Sequence, residues 1–166
     1  MRMLLAFVVA ALAIATLAAC STPEMNGPAT SLSPGASTPR DDSDSIVGTV
    51  VRFSTEDAHV DVTITTDGPT SRDFLALLPT TLAIEEFASA EKISYLPRRL
   101  VTDGSQGSDP EDGDLIYYAP WGNIGFYYDT SGVGYSDQTI NIGRYDATEA
   151  DLQQLESSQV RVEVVR

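Results

Sequence analysis

Leu115-Ile116-Tyr117-Tyr118-Ala119-Pro120-Trp121-Gly122-Asn123-Ile124-Gly125-Phe126-Tyr127-Tyr128 is the stretch that settles what kind of fold this chain adopts. Two apolar, aromatic runs, Leu115 to Tyr118 and Ile124 to Tyr128, flank a joint whose Pro120 and Gly122 are turn formers, so the segment reads as a β-hairpin. Strand alternation sends Tyr117 to the face opposite Tyr118, and Phe126 and Tyr128 to the face opposite Tyr127. Only part of this aromatic cluster can therefore be core. The outward part, with Trp121 at the turn, is a candidate contact surface for a peptide or sugar, because Trp and Tyr are favoured at interfaces.

Reading outward from the hairpin, Ile46 to Phe53 is rich in β-branched residues, and Val60 to Thr65 alternates apolar with polar positions; both are expected strands with one buried face. Thr70 to Pro79 places Phe74, Leu77 and Leu78 at helical spacing, with Thr70 and Asp73 set as a capping box and Pro79 as the stop. Thr139 to Tyr145 is a short strand. Thr148 to Glu156 is a second small helix, again with a capping pair, Thr148 and Asp151. Val160 to Val164 alternates cleanly and is expected to close the sheet at the C-terminus. Many strands with two short helices predict a mainly β protein, a small closed antiparallel barrel plugged by helices.

The N-terminus carries a different message. Met1-Arg2-Met3 is followed by an uncharged apolar run from Leu4 to Leu17, too short for a good membrane span and laid out as a secretion signal. Leu17-Ala18-Ala19-Cys20 resembles the bacterial lipobox, whose cysteine is acylated and becomes the mature first residue. Cys20 is the only cysteine, which leaves no internal disulfide in an exported chain. Residues 1–19 are thus the expected lipoprotein signal peptide. Residues 20–45, rich in Ser, Thr, Pro and Gly, form a tether that cannot offset the entropy of ordering, roughly 1–2 kcal/mol per residue. Residues 46–166 form the single folded domain. The expected location is the outer face of the cell membrane, held through lipid on Cys20.

Charge and residue supply narrow the chemistry. A net charge of −14 opposes nucleic acid, so no nucleic-acid partner is expected. His59 is the single histidine, and no Gly-x-Ser-x-Gly motif accompanies it, so it is read as a solvated strand-end residue rather than a catalytic base. One histidine and one committed cysteine cannot build a tetrahedral zinc site. The acidic run from Asp103 to Asp114 holds many oxygen donors, but not at EF-hand spacing, and is read as a solvated loop with no metal. Gly132-Val133-Gly134 lacks the third glycine and following helix of a dinucleotide loop; it is a turn. No cofactor is expected.

Three blocks taken together resemble the bacterial cyclophilin-like family: Ser71-Arg72-Asp73-Phe74-Leu75-Ala76-Leu77-Leu78-Pro79, Glu91-Lys92-Ile93-Ser94-Tyr95-Leu96-Pro97-Arg98-Arg99-Leu100, and Gly113-Asp114-Leu115-Ile116-Tyr117-Tyr118-Ala119-Pro120-Trp121-Gly122-Asn123. The resemblance covers about Ile46 to Leu155. It implies a trimmed-down cyclophilin barrel closed at its ends by helices, without implying the activity. True cyclophilins set an arginine beside the prolyl amide, near a Phe, a Gln and an apolar pocket, and their Phe-rich, Gln-containing stretches are absent here.

The expected function is a membrane-tethered module that binds a peptide, a protein or a small ligand in the cell envelope without covalent chemistry. The alternative is a weak peptidyl-prolyl isomerase or folding factor, in which an arginine addresses a substrate carbonyl. Candidate ligand-binding residues are Arg98, Arg99, Tyr117, Trp121, Tyr127 and Arg144. A hydrolase ranks behind both, since no nucleophile and base come together in the sequence.

Overall fold

Val51, Phe53, Val60, Val62 and Ile64, alternate residues of the first two expected strands, are all buried, and that alternation sets the inner face of the barrel. The computed structural model describes residues 44–165, without the side chains of Ser157 and Ser158. The expected signal peptide, Cys20 and nearly all of the expected tether lie outside the described residues.

Strand β1 (Val50–Ser54) pairs antiparallel with β2 (His59–Ile64) on one side and with β8 (Ser157–Val165) on the other. The expected hairpin is β5 (Asp114–Tyr118) with β6 (Asn123–Tyr127), in a register that puts Tyr118 opposite Asn123. Strand β7 (Thr139–Tyr145) lies between β2 and β5. Two strands escape the sequence reading: β3 (Thr80–Phe87) and β4 (Glu91–Tyr95). They pair with each other and then with β8 and β6, closing an eight-stranded barrel in the order β1-β2-β7-β5-β6-β4-β3-β8. Every pairing is antiparallel.

The first helix corrects the expectation. Helix α1 (Pro69–Leu75) starts behind Gly68, and no side chain caps it. Thr70 lies inside the first turn, where its hydroxyl donates to the Val101 carbonyl at 2.8 Å. Pro69 at the first helical position explains the shift, since it has no N–H to be capped. Helix α2 (Glu149–Gln153) follows the expectation: Thr148 is its N-cap and exchanges hydrogen bonds with Asp151 in a full capping box.

Inside, Phe53 meets Phe126 edge-on at 4.9 Å, and Phe126 meets Tyr145 at 5.4 Å. Leu152 and Leu155, in and just beyond α2, are fully buried and plug the interior. Each such apolar side chain contributes roughly 1.5–3 kcal/mol on burial. One charge enters this wall. Lys92, 3% exposed, bonds the Glu86 and Glu156 carboxylates, with the Tyr128 ring 5.4 Å from its amine. Burial pulls the Lys92 ammonium down, yet its two glutamates more than reverse that and hold it charged.

Candidate functional site

Pleating decides which side chains of β3, β4, β5 and β6 leave the barrel. Ile124 and Phe126 belong to the core, so Asn123, Gly125 and Tyr127 face outward. On β5, core Leu115 and Tyr117 leave Tyr118 on the outside. Pairing of Glu91 with both Tyr127 and Phe87 then places Glu91 and Phe87 on that same outer surface. The turn between β5 and β6 adds Trp121, 47% exposed. Its ring stands edge-on to Phe87 at 5.3 Å and to Tyr118 at 5.5 Å, with interplanar angles of 84° and 82°.

These rings border a depression of about 340 Å³, whose far side is the loop carrying Val133, Gly134 and Ser136. Two polar side chains, Asn123 and Glu91, line it. Asn123 is 3% exposed, and its Oδ1 is buried without a hydrogen-bond partner; an unmade bond of this kind costs about 1–3 kcal/mol in a folded protein. Glu91 lies across Gly125, where a Cβ would overlap its Oε2. Burial, reinforced by the charge on Glu86, pushes the Glu91 carboxyl up to about 7, while the Tyr127 hydroxyl pulls the other way. Burial and the neighbouring Glu91 push the Tyr127 phenol up to about 12, so at neutral pH it remains a donor.

A family model described as the cyclophilin-like family matches residues 53–165. The chain belongs to the cyclophilin-like family. Among solved structures, the solution structure of a hypothetical protein from Archaeoglobus fulgidus shares the fold, with a TM-score of 0.58 and 18% identity over 74% of this chain and 98% of that one. A comparison with the curated proteins returns no match.

This cyclophilin-like barrel brings two of the six expected residues, Trp121 and Tyr127, to one site. The other four stand elsewhere. Tyr117 is buried in the core, and its hydroxyl accepts a hydrogen bond from the Leu100 amide at 3.0 Å. Arg98 forks onto Asp73 with bonds of 2.6 and 2.7 Å, and that partner holds the Asp73 carboxyl below its ordinary range. Arg144 pairs with Glu111 at 2.8 Å and lies 3.3 Å from Asp114. Arg99 donates to the carbonyls of Ala119 and Pro120 at 2.5 and 2.9 Å, which braces the turn that carries Trp121. Arg99 is thus a positioning residue for the site.

Sequence reasoning missed Phe87, Glu91 and Asn123 as members of this constellation. Phe87 and Glu91 sit on the two strands that escaped the reading. The acidic loop shows no gathering of ligands: among the described residues no group of three or more metal-ligating side chains is present. Glu111 faces Arg144, and Asp112 accepts from the Thr130 amide and hydroxyl at 2.8 Å. His59 is the exposed first residue of β2.

Proposed function

We propose that this protein is an extracytoplasmic binding module, tethered by lipid on Cys20, that holds a peptide segment in the outer-face depression around Trp121. The observation that carries the binding reading is the conjunction of an exposed Trp121 ring, perpendicular to both Phe87 and Tyr118, with a buried, unpartnered Asn123 Oδ1 on a residue that lines the same depression. Apolar rings supply desolvation energy, and the amide oxygen fixes orientation, which is how concave ligand sites divide their work. A depression of about 340 Å³ has room for one side chain of an extended peptide.

The anchor rests on the sequence: the apolar run ending in Leu17-Ala18-Ala19-Cys20. Two or more acyl chains on one residue give stable attachment. Mass spectrometry of the N-terminal peptide tests it, with an acylated Cys20 as the first residue expected and an intact Met1 with a free thiol as the contrary result.

The isomerase alternative needs an arginine free to address a twisted prolyl amide. Arg98, Arg99 and Arg144 are each engaged by neighbouring carboxylates or carbonyls, which favours binding without catalysis. A random-sequence peptide pool passed over the full chain in mild detergent tests the binding reading. Peptides retained by the native chain and lost with Trp121→Ala are expected. Equal retention by both would refute it, and a protease-coupled assay showing accelerated prolyl isomerisation would restore the alternative.

A further inference from the structure

The depression joins three features: an aromatic corner, a carboxylate and an unused amide oxygen. Both polar groups are hydrogen-bond acceptors wherever Glu91 is ionised, so the complementary ligand must donate. Neither a carbonyl nor an anion does so. The chain's net charge of −14 adds a long-range attraction for cations.

The rings refine the choice. Trp121 is perpendicular both to Phe87 and to Tyr118, so a planar group cannot stack on all three. A guanidinium, which gains most by lying flat on an aromatic face, is poorly matched to such a corner. A compact tetrahedral cation meets rings at right angles without that restriction, and aromatic faces attract it through their quadrupoles. A fully alkylated ammonium would satisfy the rings but leave Asn123 Oδ1 without a donor.

We propose that the depression receives the ammonium group of a lysine side chain on a peptide segment, between the Trp121, Phe87 and Tyr118 rings, donating to the Glu91 carboxylate and Asn123 Oδ1. This rests on the binding reading above and specifies its ligand. Gly125 is part of the device, because only the missing side chain there lets the Glu91 carboxylate lie across the strand at the floor of the site. The lysine methylenes cover the apolar rim, as long charged side chains do elsewhere on proteins.

Trp121 is the single tryptophan, so its emission reports on this site alone. The test titrates the full chain in mild detergent with an acetylated, amidated pentapeptide of four alanines around a central lysine. Parallel arms carry arginine, Nε-acetyl-lysine or Nε-trimethyl-lysine at the centre, and a last arm is n-butylammonium. The lysine peptide is expected to shift Trp121 emission saturably and to bind about tenfold or more tighter than every other arm, with Glu91→Gln removing most of that preference.

Each other outcome counts against the proposal. Equal binding of the Nε-acetyl peptide, with no effect of Glu91→Gln, would overturn the ammonium assignment while leaving the site a peptide receptor. Stronger binding of butylammonium than of the lysine peptide would overturn the peptide as its source. No change in Trp121 emission with any probe would overturn both this assignment and the binding reading. Asn123→Leu supplies a second variant; retained lysine preference there would contradict the role of Asn123 Oδ1.

Discussion

The carboxylate of Glu91 occupies the space that a side chain on Gly125 would fill. Glu91 belongs to β4 and Gly125 to the neighbouring β6, so a bare position on one strand lets an acid from the other lie flat over the sheet. That arrangement buries the acid within the lining of the depression that Trp121 also borders. It also separates a glycine needed by the site from glycines needed by the fold.

Gly125→Ala is expected to cost less than about 1 kcal/mol, because the atom in the way is the end of a flexible side chain that can swing out. Ligand binding should nonetheless fall, since Glu91 leaves its place. Gly143→Ala is the contrast: there a Cβ would meet the Thr63 carbonyl oxygen and come within 2.9 Å of Val62 Cγ1. Backbone cannot swing aside, so unfolding in urea should show a loss of about 3 kcal/mol or more.

Glu91 also sets the direction of two pH effects. Its folded-state carboxyl is raised to about 7 by burial and by Glu86, against the Tyr127 hydroxyl. Raised above its unfolded value, it favours the folded state at acid pH, and that contribution is lost as pH climbs through about 7. Replacing it with Gln should therefore narrow the stability difference between pH 5 and pH 8, on the order of 1 kcal/mol after allowance for solvent screening, read by urea unfolding at the two pH values. Affinity for the lysine peptide runs the other way, strengthening as Glu91 ionises on going from pH 5.5 to pH 8.

Lys92 is the fold's own charged centre, on the inner face of the barrel, and it is linked to the site through Glu86, whose charge helps to raise the Glu91 carboxyl. Lys92→Met leaves Glu86 and Glu156 facing each other without the ammonium that bridges them. Breaking a buried ion pair costs about 3–5 kcal/mol; because these carboxylates are one-third exposed, about 2–3 kcal/mol is expected in urea unfolding. Adding Glu86→Gln and Glu156→Gln to Lys92→Met should recover part of that loss.

Arg98 and Arg99 are adjacent in sequence and differ in consequence. Arg98→Ala unties Asp73 in α1 and should leave peptide binding unchanged. Arg99→Ala frees the Ala119–Trp121 turn, so Trp121 fluorescence anisotropy should drop in the unliganded chain and peptide affinity should weaken about two- to tenfold. Arg99→Lys is not expected to restore either, since an ammonium lacks the planar fork that spans two carbonyls.

The hairpin, the C-terminal strand and α2 were legible because each carries a local signature: aromatic runs around a Pro-Gly turn, clean alternation, and a capping pair. Strands β3 and β4 were not. Thr80 to Phe87 does alternate Leu82 and Ile84 toward the core, but Ala83, Glu85 and Glu86 are helix-favouring residues with low strand preference. In β4 the two inward positions are Lys92 and Ser94, which inverts the expected polarity until Glu86 and Glu156 are seen beside the lysine. The site suffered the same fate, because Phe87 and Glu91 join Trp121 only through pairings that tertiary contacts impose. The outward placement of Tyr127 by strand alternation, and of Trp121 at the turn, was legible within the one hairpin.

The place where a ligand touches the barrel decides whether the depression around Trp121 is its binding site. In a 15N-correlated NMR titration of the full chain with the lysine pentapeptide, the largest shifts are expected at the Trp121 indole N–H, the Asn123 side-chain amide and the Gly125 backbone amide. Shifts centred instead on the hydroxyl-lined depression at Thr66, Ser71 and Ser105, or no shifts at saturating peptide, would contradict that placement.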